Sequence, residues 1–197
     1  MRCAHPCTGE PGLIRGTQIE EPAGARTWEV FVREIATFRG EHFFLSNFYP
    51  AAVVGAERRR YPSAEAAFHG GKTLDPRERD WIAAAATPRE AKRRGRRVSL
   101  RPDWDSARHL VMRAVLRGKF ADPDLAAKLL ATGETRLVEG NRWHDQLWGD
   151  CRCGRAACDE PGRNFLGIYL MELRAELRAA TPRPTAPASE GVSARAA

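Results

Sequence analysis

No apolar run in the chain approaches the ~20 residues needed to cross a bilayer, which sets aside a transmembrane helix and a membrane partner. The first thirty residues also lack the apolar stretch of a secretory signal, so the expected location is the cytoplasm. Cysteine is sparse and odd in number: five residues argue against a complete disulfide framework and for thiols kept reduced. No internal repeat is visible. Neither a helix-turn-helix signature nor a standard zinc finger is evident, which removes the usual marks of a pure DNA-binding protein. Acidic side chains are in the minority, 25 against 32 Lys and Arg. The resulting charge of +7 favours anionic partners, either phosphorylated metabolites or nucleic acid.

What is present is enough for one folded domain. A length of 197 residues with 43% hydrophobic and 29% charged residues excludes wholesale disorder and allows a full core. Residues 1–26 are rich in Gly, Pro and charge without periodicity, and 180–197 form a Pro/Ala/Ser tail. Both ends are expected to be disordered, leaving 27–179 as the folded domain. The positive excess is concentrated in Arg58-Arg59-Arg60 and in Arg89–Arg97, where six cations stand against one anion. Such runs are either a solvated helix face or a patch that grips phosphate.

Alternation from Trp28 to Val32, continued by Ile35 to Phe38, predicts a strand, and Ala51–Val54 with Glu57–Tyr61 predicts a hairpin turning at Gly55-Ala56. Pro62 is expected to end the extended run, with Ser63 capping a helix over Ala64–Leu74. Glu65, Phe68 and Lys72 then share one face. Thr87-Pro88-Arg89-Glu90 is a strong helix start. Between about 103 and 120, Ala107, Leu110, Val111, Ala114 and Val115 make a core-facing stripe. Asp122-Pro123 opens a helix ending near Gly133, Thr135–Val138 reads as a strand, and a last helix over 163–178 buries Leu166, Leu170, Leu173 and Leu177. The expected class is α+β: mostly helical, with a small sheet near the N-terminal side.

Two segments carry candidate chemistry. Glu65 in a helix's first turn is either a dipole-compensating residue or an acid aimed at a ligand. Lys72 is either solvated or joined to it, and the intervening Gly70-Gly71 costs helix stability unless backbone must come close to something. Phe43–Pro50 is either a core strand ending in a turn or a wall in which Phe48 or Tyr49 meets a flat ligand and Ser46 and Asn47 supply hydrogen bonds. Downstream, Trp148 is suited to stacking on a base, Gly149 to a positive φ, and Asp145 or Asp150 to facing a scissile bond; plain turn residues are the alternative. Cys151, Cys153 and Cys158 with nearby His144 are either free thiols in a loop, the preferred reading, or ligands of a structural zinc with unusual spacing.

Phe44-Leu45-Ser46-Asn47-Phe48, Pro62-x-x-Glu65-x-x-Phe68-x-x-x-Lys72, Gly95-Arg96, Trp104, Val111-Met112-Arg113, Lys119-Phe120, Leu137-Val138-Glu139, Trp148-Gly149-Asp150 and Gly162-x-Asn164-x-Leu166-Gly167 occur in this order. Together they resemble the NADAR family, whose YbiA-like members are N-glycosidases, over about residues 35–178. The resemblance implies a YbiA-like fold and hydrolysis of a bond between ribose C1 and nitrogen, with no cofactor. It implies two substrate classes, ADP-ribose on guanine in DNA, slightly ahead on family grounds, and phosphoribosylamino-pyrimidine intermediates of riboflavin synthesis. By the same resemblance Glu65, Lys72 and Asp150 are catalytic, with Asp145 a further candidate. Ser46, Asn47, Phe48, Phe68, Trp148, Gly149, Arg96 and Asn164 are substrate-binding. Two departures stand out: the residue after Glu65, often His in the family, is Ala66, and the segment Cys151–Pro161 is longer than usual. A module that binds ADP-ribose or a nucleotide without cleaving it is the non-enzymatic alternative.

Such cleavage builds positive charge on ribose while the base departs with the bonding electrons. One carboxylate near C1 and one proton donor serve it, and Glu65 or Asp150 can fill either role. Lys72 offers another route, attack by a neutral amine and a Schiff base with the opened sugar. Arg58, Arg94, Arg96 and Arg97 are available for phosphate.

Overall fold

A computed structural model describes residues 33–55 and 58–180. The alternating run Trp28–Val32, the Gly55-Ala56 turn at Ala56, Cys3, Cys7, the extension 1–26 and the tail beyond Ala180 lie outside the described residues. Elements follow in the order β1 (Glu34–Ile35), a 3₁₀ turn (Gly40–Leu45), β2 (Pro50–Val54), β3 (Arg60–Ser63), α1 (Ala64–Gly70), α2 (Pro76–Ala83) and α3 (Pro88–Arg94). Then come α4 (Trp104–Lys119), α5 (Pro123–Ala131), β4 (Arg136–Leu137), β5 (Gly140–Asn141), β6 (Asp150–Cys151) and α6 (Phe165–Ala180). The class is α+β and mostly helical, as the pattern implies. Its strands are divided among three two-stranded ladders. β2 and β3 form the antiparallel hairpin, while β1 pairs with β4 and β5 with β6, both parallel.

Capping chemistry sets the helix starts. Ser63 Oγ accepts from Ala66 N, Thr87 Oγ1 from Glu90 N, and Asp122 Oδ1 from both Asp124 N and Leu125 N. Each of the last two is followed by a proline at the first helical position. Asp75-Pro76 carries the same signal and starts α2, a helix the sequence pattern passed over. Pro62 does not end the extended run: β3 continues through it to Ser63, opposite an irregularity of β2 between Pro50 and Val53, a place where strands tolerate proline. α1 stops at Gly70 rather than Leu74. A side chain on Gly70 would lie 2.3 Å from Tyr61 Oη and one on Gly71 2.5 Å from Val111 Cγ1, so these glycines admit neighbouring side chains to the backbone.

The core stripe of α4 is rotated from the expected one. Trp104, Ala107, Met112, Val115 and Leu116 are buried, whereas Leu110 is 70% exposed. Lys119, with no exposed surface at all, completes the buried face. Its Nζ donates to Ser46 O at 2.7 Å and lies 5.6 Å from the Tyr49 ring centroid, so a carbonyl and aromatic faces replace lost water. α6 buries Leu166, Leu170 and Leu173, with Leu177 packed at the edge. Arg113–Glu172 and Arg117–Glu176 pairs tie it to α4. No helix of the described residues is long and apolar enough to cross a membrane.

Candidate active site

The 3₁₀ turn and the residues after it build one wall of a cavity of about 800 Å³. Ser46 Oγ accepts from Phe48 N, Lys119 holds the Ser46 carbonyl from below, and Asn47 O accepts from Glu65 N. Asn47 Nδ2 donates to Met112 Sδ at 3.6 Å, and its Oδ1 is buried without a partner. A buried acceptor left open in a cavity wall is a natural contact for a ligand's donor.

α1 supplies the acid. Ser63 already caps the helix, so Glu65 is free of that duty and turns into the protein. Its Oε1 lies 3.1 Å from His69 Nε2 and 3.6 Å from Lys92 Nζ, which enters from α3. Burial pulls the His69 pKa down, against the Glu65 carboxylate beside it, with Lys72 and Lys92 pushing further down. Lys72 follows the end of α1 with Nζ 5.7 Å from the Trp104 ring centroid. Its pKa is lowered by burial, opposed by Glu65 and assisted by Lys92 and Arg96. Arg89 and Arg96, at the two ends of α3, complete the cationic side of the lining.

The opposite wall comes from the ladders near the C-terminal side. Glu139 lines the cavity, and its carboxyl is pushed up to about 7, first by burial and then by Asp145, against Arg39; Glu65 pushes it further up and Lys119 down. Its Oε2 is buried and unpartnered. Asn141 organises the next turn: its Oδ1 accepts from Trp143 N and Asp145 N while its Nδ2 donates to Asp145 O. Asp145 Oδ1 in turn accepts from Leu147 N and Trp148 N, a turn that presents the indole. Trp148 meets Phe68 edge-on at 5.3 Å, and Phe68 meets Trp104 at 5.2 Å, giving the cavity an aromatic floor.

Of the residues singled out from sequence, Ser46, Asn47, Phe48, Glu65, Phe68, Lys72, Arg96, Asp145 and Trp148 line this one cavity. Asp150, Gly149 and Asn164 do not. The Asp150 carboxylate accepts from Gly162 N at 2.9 Å and Arg152 Nε at 2.9 Å, so it ties two segments together outside the cavity lining. Gly149 does not take a positive φ. It is glycine because a side chain would lie 2.2 Å from Glu139 O across the strand contact. Asn164, at φ 48, bridges the ladders: Oδ1 accepts from Glu139 N and Nδ2 donates to Leu137 O. It positions Glu139. Arg58 and Arg97 are not in the lining either.

The sequence pattern passed over Glu139, His69, Arg39 and Trp143 as site residues, whereas Arg89 and Lys92 belong to the basic run weighed as a phosphate patch; all six line the cavity. His69 stands four residues after Glu65, a one-turn spacing that places the two side by side. Glu139 sits inside the quoted Leu137-Val138-Glu139 motif but reads there as the end of a strand. The four side chains weighed as zinc ligands, His144, Cys151, Cys153 and Cys158, converge outside the lining.

Comparison with known proteins points the same way. The model of a family described as NADAR domain matches residues 33–178. N-glycosidase YbiA of Escherichia coli (strain K12) is 40% identical over 137 residues, covering 67% of this chain and 79% of that protein. Riboflavin biosynthesis protein VVA0006 of Vibrio vulnificus (strain YJ016) is 37% identical over 144 residues, 72% of this chain but 37% of that larger protein. Among solved structures, the NMR structure of the E. coli protein YbiA aligns with a TM-score of 0.64 at 34% identity, covering 79% of this chain and 91% of the other.

Proposed function

The chain belongs to the NADAR domain family and is an N-glycosidase, and from that premise we propose that it hydrolyses the ribose C1–N bond of a small phosphoribosylated amino-pyrimidine. The observation that carries this reading is the division of one cavity into two chemical sides. Glu65, Glu139 and Asp145 supply carboxyl groups, while Lys72, Arg89, Lys92 and Arg96 gather cations suited to phosphate. The names of relatives, N-glycosidase in one and riboflavin biosynthesis protein in another, agree with it. A cytoplasmic setting, where phosphorylated intermediates are held, belongs to the same proposal.

In the proposed reaction the base lies against Phe68 and Trp148, with Asn47 Oδ1 accepting from its exocyclic amine. The C1–N bond breaks with both electrons going to nitrogen. Glu139, whose carboxyl titrates at about 7, delivers a proton to that nitrogen. Glu65 stabilises the charge growing on ribose and takes a proton from the water that bonds to C1. The products are free base and a 1-hydroxy sugar phosphate, and one water is consumed. His69 and Lys92 hold the Glu65 carboxylate in place. Lys72 supports a second route because burial lowers its pKa: a neutral Nζ displaces the base at C1, the ring C1–O bond then opens as a proton passes from Nζ to the ring oxygen, and water later hydrolyses the resulting imine back to free Lys72. Asp145 acts through the turn that presents Trp148. Asp150, Gly149 and Asn164 support the walls.

A larger substrate, ADP-ribosylated guanine in DNA, is the second reading, and exposed Arg89, Arg93, Arg96 and Arg97 beside the cavity favour it. Chromatography of base released from a phosphoribosylamino-pyrimidine and from an ADP-ribosyl-guanine oligonucleotide, with Glu65→Ala as control, tests both. Release from the small substrate alone supports the first. Release from the oligonucleotide alone, falling steeply with salt, replaces it with the second. Binding without release from either leaves a non-catalytic nucleotide-binding module.

A further inference from the structure

Four side chains converge in a loop outside the cavity and have no part in glycosidic cleavage. The Nδ1 of His144 and the Sγ atoms of Cys151, Cys153 and Cys158 all lie within 4.8 Å of one another. His144 Nδ1 is 3.4 Å from Cys158 Sγ, 3.5 Å from Cys153 Sγ and 4.0 Å from Cys151 Sγ. Tetrahedral zinc, with Zn–S of about 2.3 Å and Zn–N of about 2.0 Å, demands nitrogen-to-sulfur edges of about 3.5 Å. The three observed edges bracket that value. All three thiols are free, so no disulfide explains their approach.

The loop is built to bring these atoms together. His144 takes a left-handed backbone conformation at φ 66, uncommon for a residue with a side chain, and Gly154 does the same at φ 78. The 3₁₀ turn Ala156–Cys158 returns Cys158 to the cluster, where it and Cys151 are buried. Gln146 clasps the loop at both ends: its Oε1 accepts from Cys151 N and its Nε2 donates to Glu160 O.

We propose that His144, Cys151, Cys153 and Cys158 bind one structural zinc ion. Three soft thiolates and an imidazole select zinc over magnesium or calcium, and four protein ligands leave no open position for chemistry. Binding releases the three thiol protons. The ion's place in the chain gives it a purpose. His144 immediately precedes Asp145 and Cys151 immediately follows Asp150, so the metal closes both ends of the segment carrying Asp145 and Trp148 into the cavity. The site stands on its own geometry, whichever ribosylated substrate the cavity takes.

Elemental analysis of the full chain, expressed with zinc supplementation and purified under reducing conditions without chelator, tests it. About one zinc per chain is expected, and cobalt added to the stripped protein gives thiolate charge-transfer and tetrahedral ligand-field absorption. Cys153→Ser, at the least buried of the thiols, weakens zinc binding by at least the ~10–100-fold that loss of an outer-shell partner costs. Chelation lowers the melting temperature of wild type and leaves that of the variant almost unchanged. Should Cys153→Ser fail to fold, wild-type metal content and cobalt spectra still decide. Reduced protein with less than about a tenth of an equivalent of zinc, no cobalt–thiolate bands and freely reactive thiols overturns the proposal. So does a disulfide among the three in protein that is fully active.

Discussion

His69 Nε2 lies 3.1 Å from Glu65 Oε1, one turn along α1, with both side chains buried. Lys92 approaches the same oxygen from α3 at 3.6 Å, so Glu65 cannot swing away without losing one of its two partners. Its carboxylate is thereby fixed toward the cavity before any substrate arrives.

Glu65→Gln keeps the shape of the side chain and removes its charge. Release of free base is expected to fall by ~10²–10⁴-fold, the usual contribution of a positioned acid or base. The far-ultraviolet circular dichroism spectrum should be preserved. A rise in KM with kcat unchanged would instead make Glu65 a binding residue.

With Glu139 as the proposed proton donor, the pH–rate profile is expected to have an alkaline limb. A donor whose carboxyl is pushed up to about 7 is loaded below that pH and empties above it, so Glu139 imposes no fall in kcat on the acid side. Above pH ~7 kcat should drop about tenfold per unit. Glu139→Gln lowers the plateau and removes this limb. A wild-type rate that climbs through pH ~7 would assign Glu139 as the base instead.

Lys72 is tested by borohydride reduction during turnover. A covalent sugar adduct on Lys72, seen by mass spectrometry and absent from Lys72→Arg, is the expected result for the imine route. No adduct in wild type, with turnover undiminished, leaves direct attack by water.

Lys119 writes a signature into stability. Burial lowers its pKa from the ordinary 10.5 to about 7, while in the unfolded chain it remains near 10.5. Between those values the unfolded state carries a proton that the folded state lacks, so this residue's contribution makes stability rise with pH from about 7 to 10.5. Raised from 4.5 to about 7, Glu139 has the opposite sign over the lower window, and its contribution falls as pH rises from 4.5 to 7. Urea midpoints of wild type minus those of Lys119→Met should increase across the upper window. A flat difference would mean that Lys119 stays charged in the fold.

Gly95 marks a tight contact behind the acid. A side chain there would lie 2.3 Å from His69 Nδ1 and 2.6 Å from His69 Cβ, too close for the ring alone to yield. Gly95→Ala is expected to cost ~1–3 kcal/mol and to lower base release by displacing His69 from Glu65. Chemical denaturation together with the release assay checks both.

Local chemistry was legible in the sequence, and tertiary direction was not. Ser63, Thr87-Pro88 and Asp122-Pro123 announced their helices because caps are short-range devices. The stripe of α4 departs from its apolar pattern because Leu110 is left exposed and Lys119 is taken inside. The amine of Lys119 is acceptable inside only because Ser46, 73 positions away, offers a carbonyl. Glu65 and Lys72 are legible through a shared face with Phe68 and Trp148 through its Gly-Asp turn, and the ordered motifs join them. Spacing could not tell that Asp150 is tied to Gly162 and Arg152 while Glu139, eleven positions earlier, faces the cavity. That choice is made by the parallel register Gly140↔Asp150, which no local pattern encodes.

The pairing of Glu34 with Arg136 and of Ile35 with Leu137 also bears on biosynthesis. During translation Phe38, Ser46 and Glu65 leave the ribosome long before Glu139 and Trp148 exist to face them. Until β4 to β6 emerge, the nascent chain carries half a binding site with its aromatic floor open. A chain that ends before residue 136 therefore lacks one wall of the cavity, Glu139 and Trp148 included.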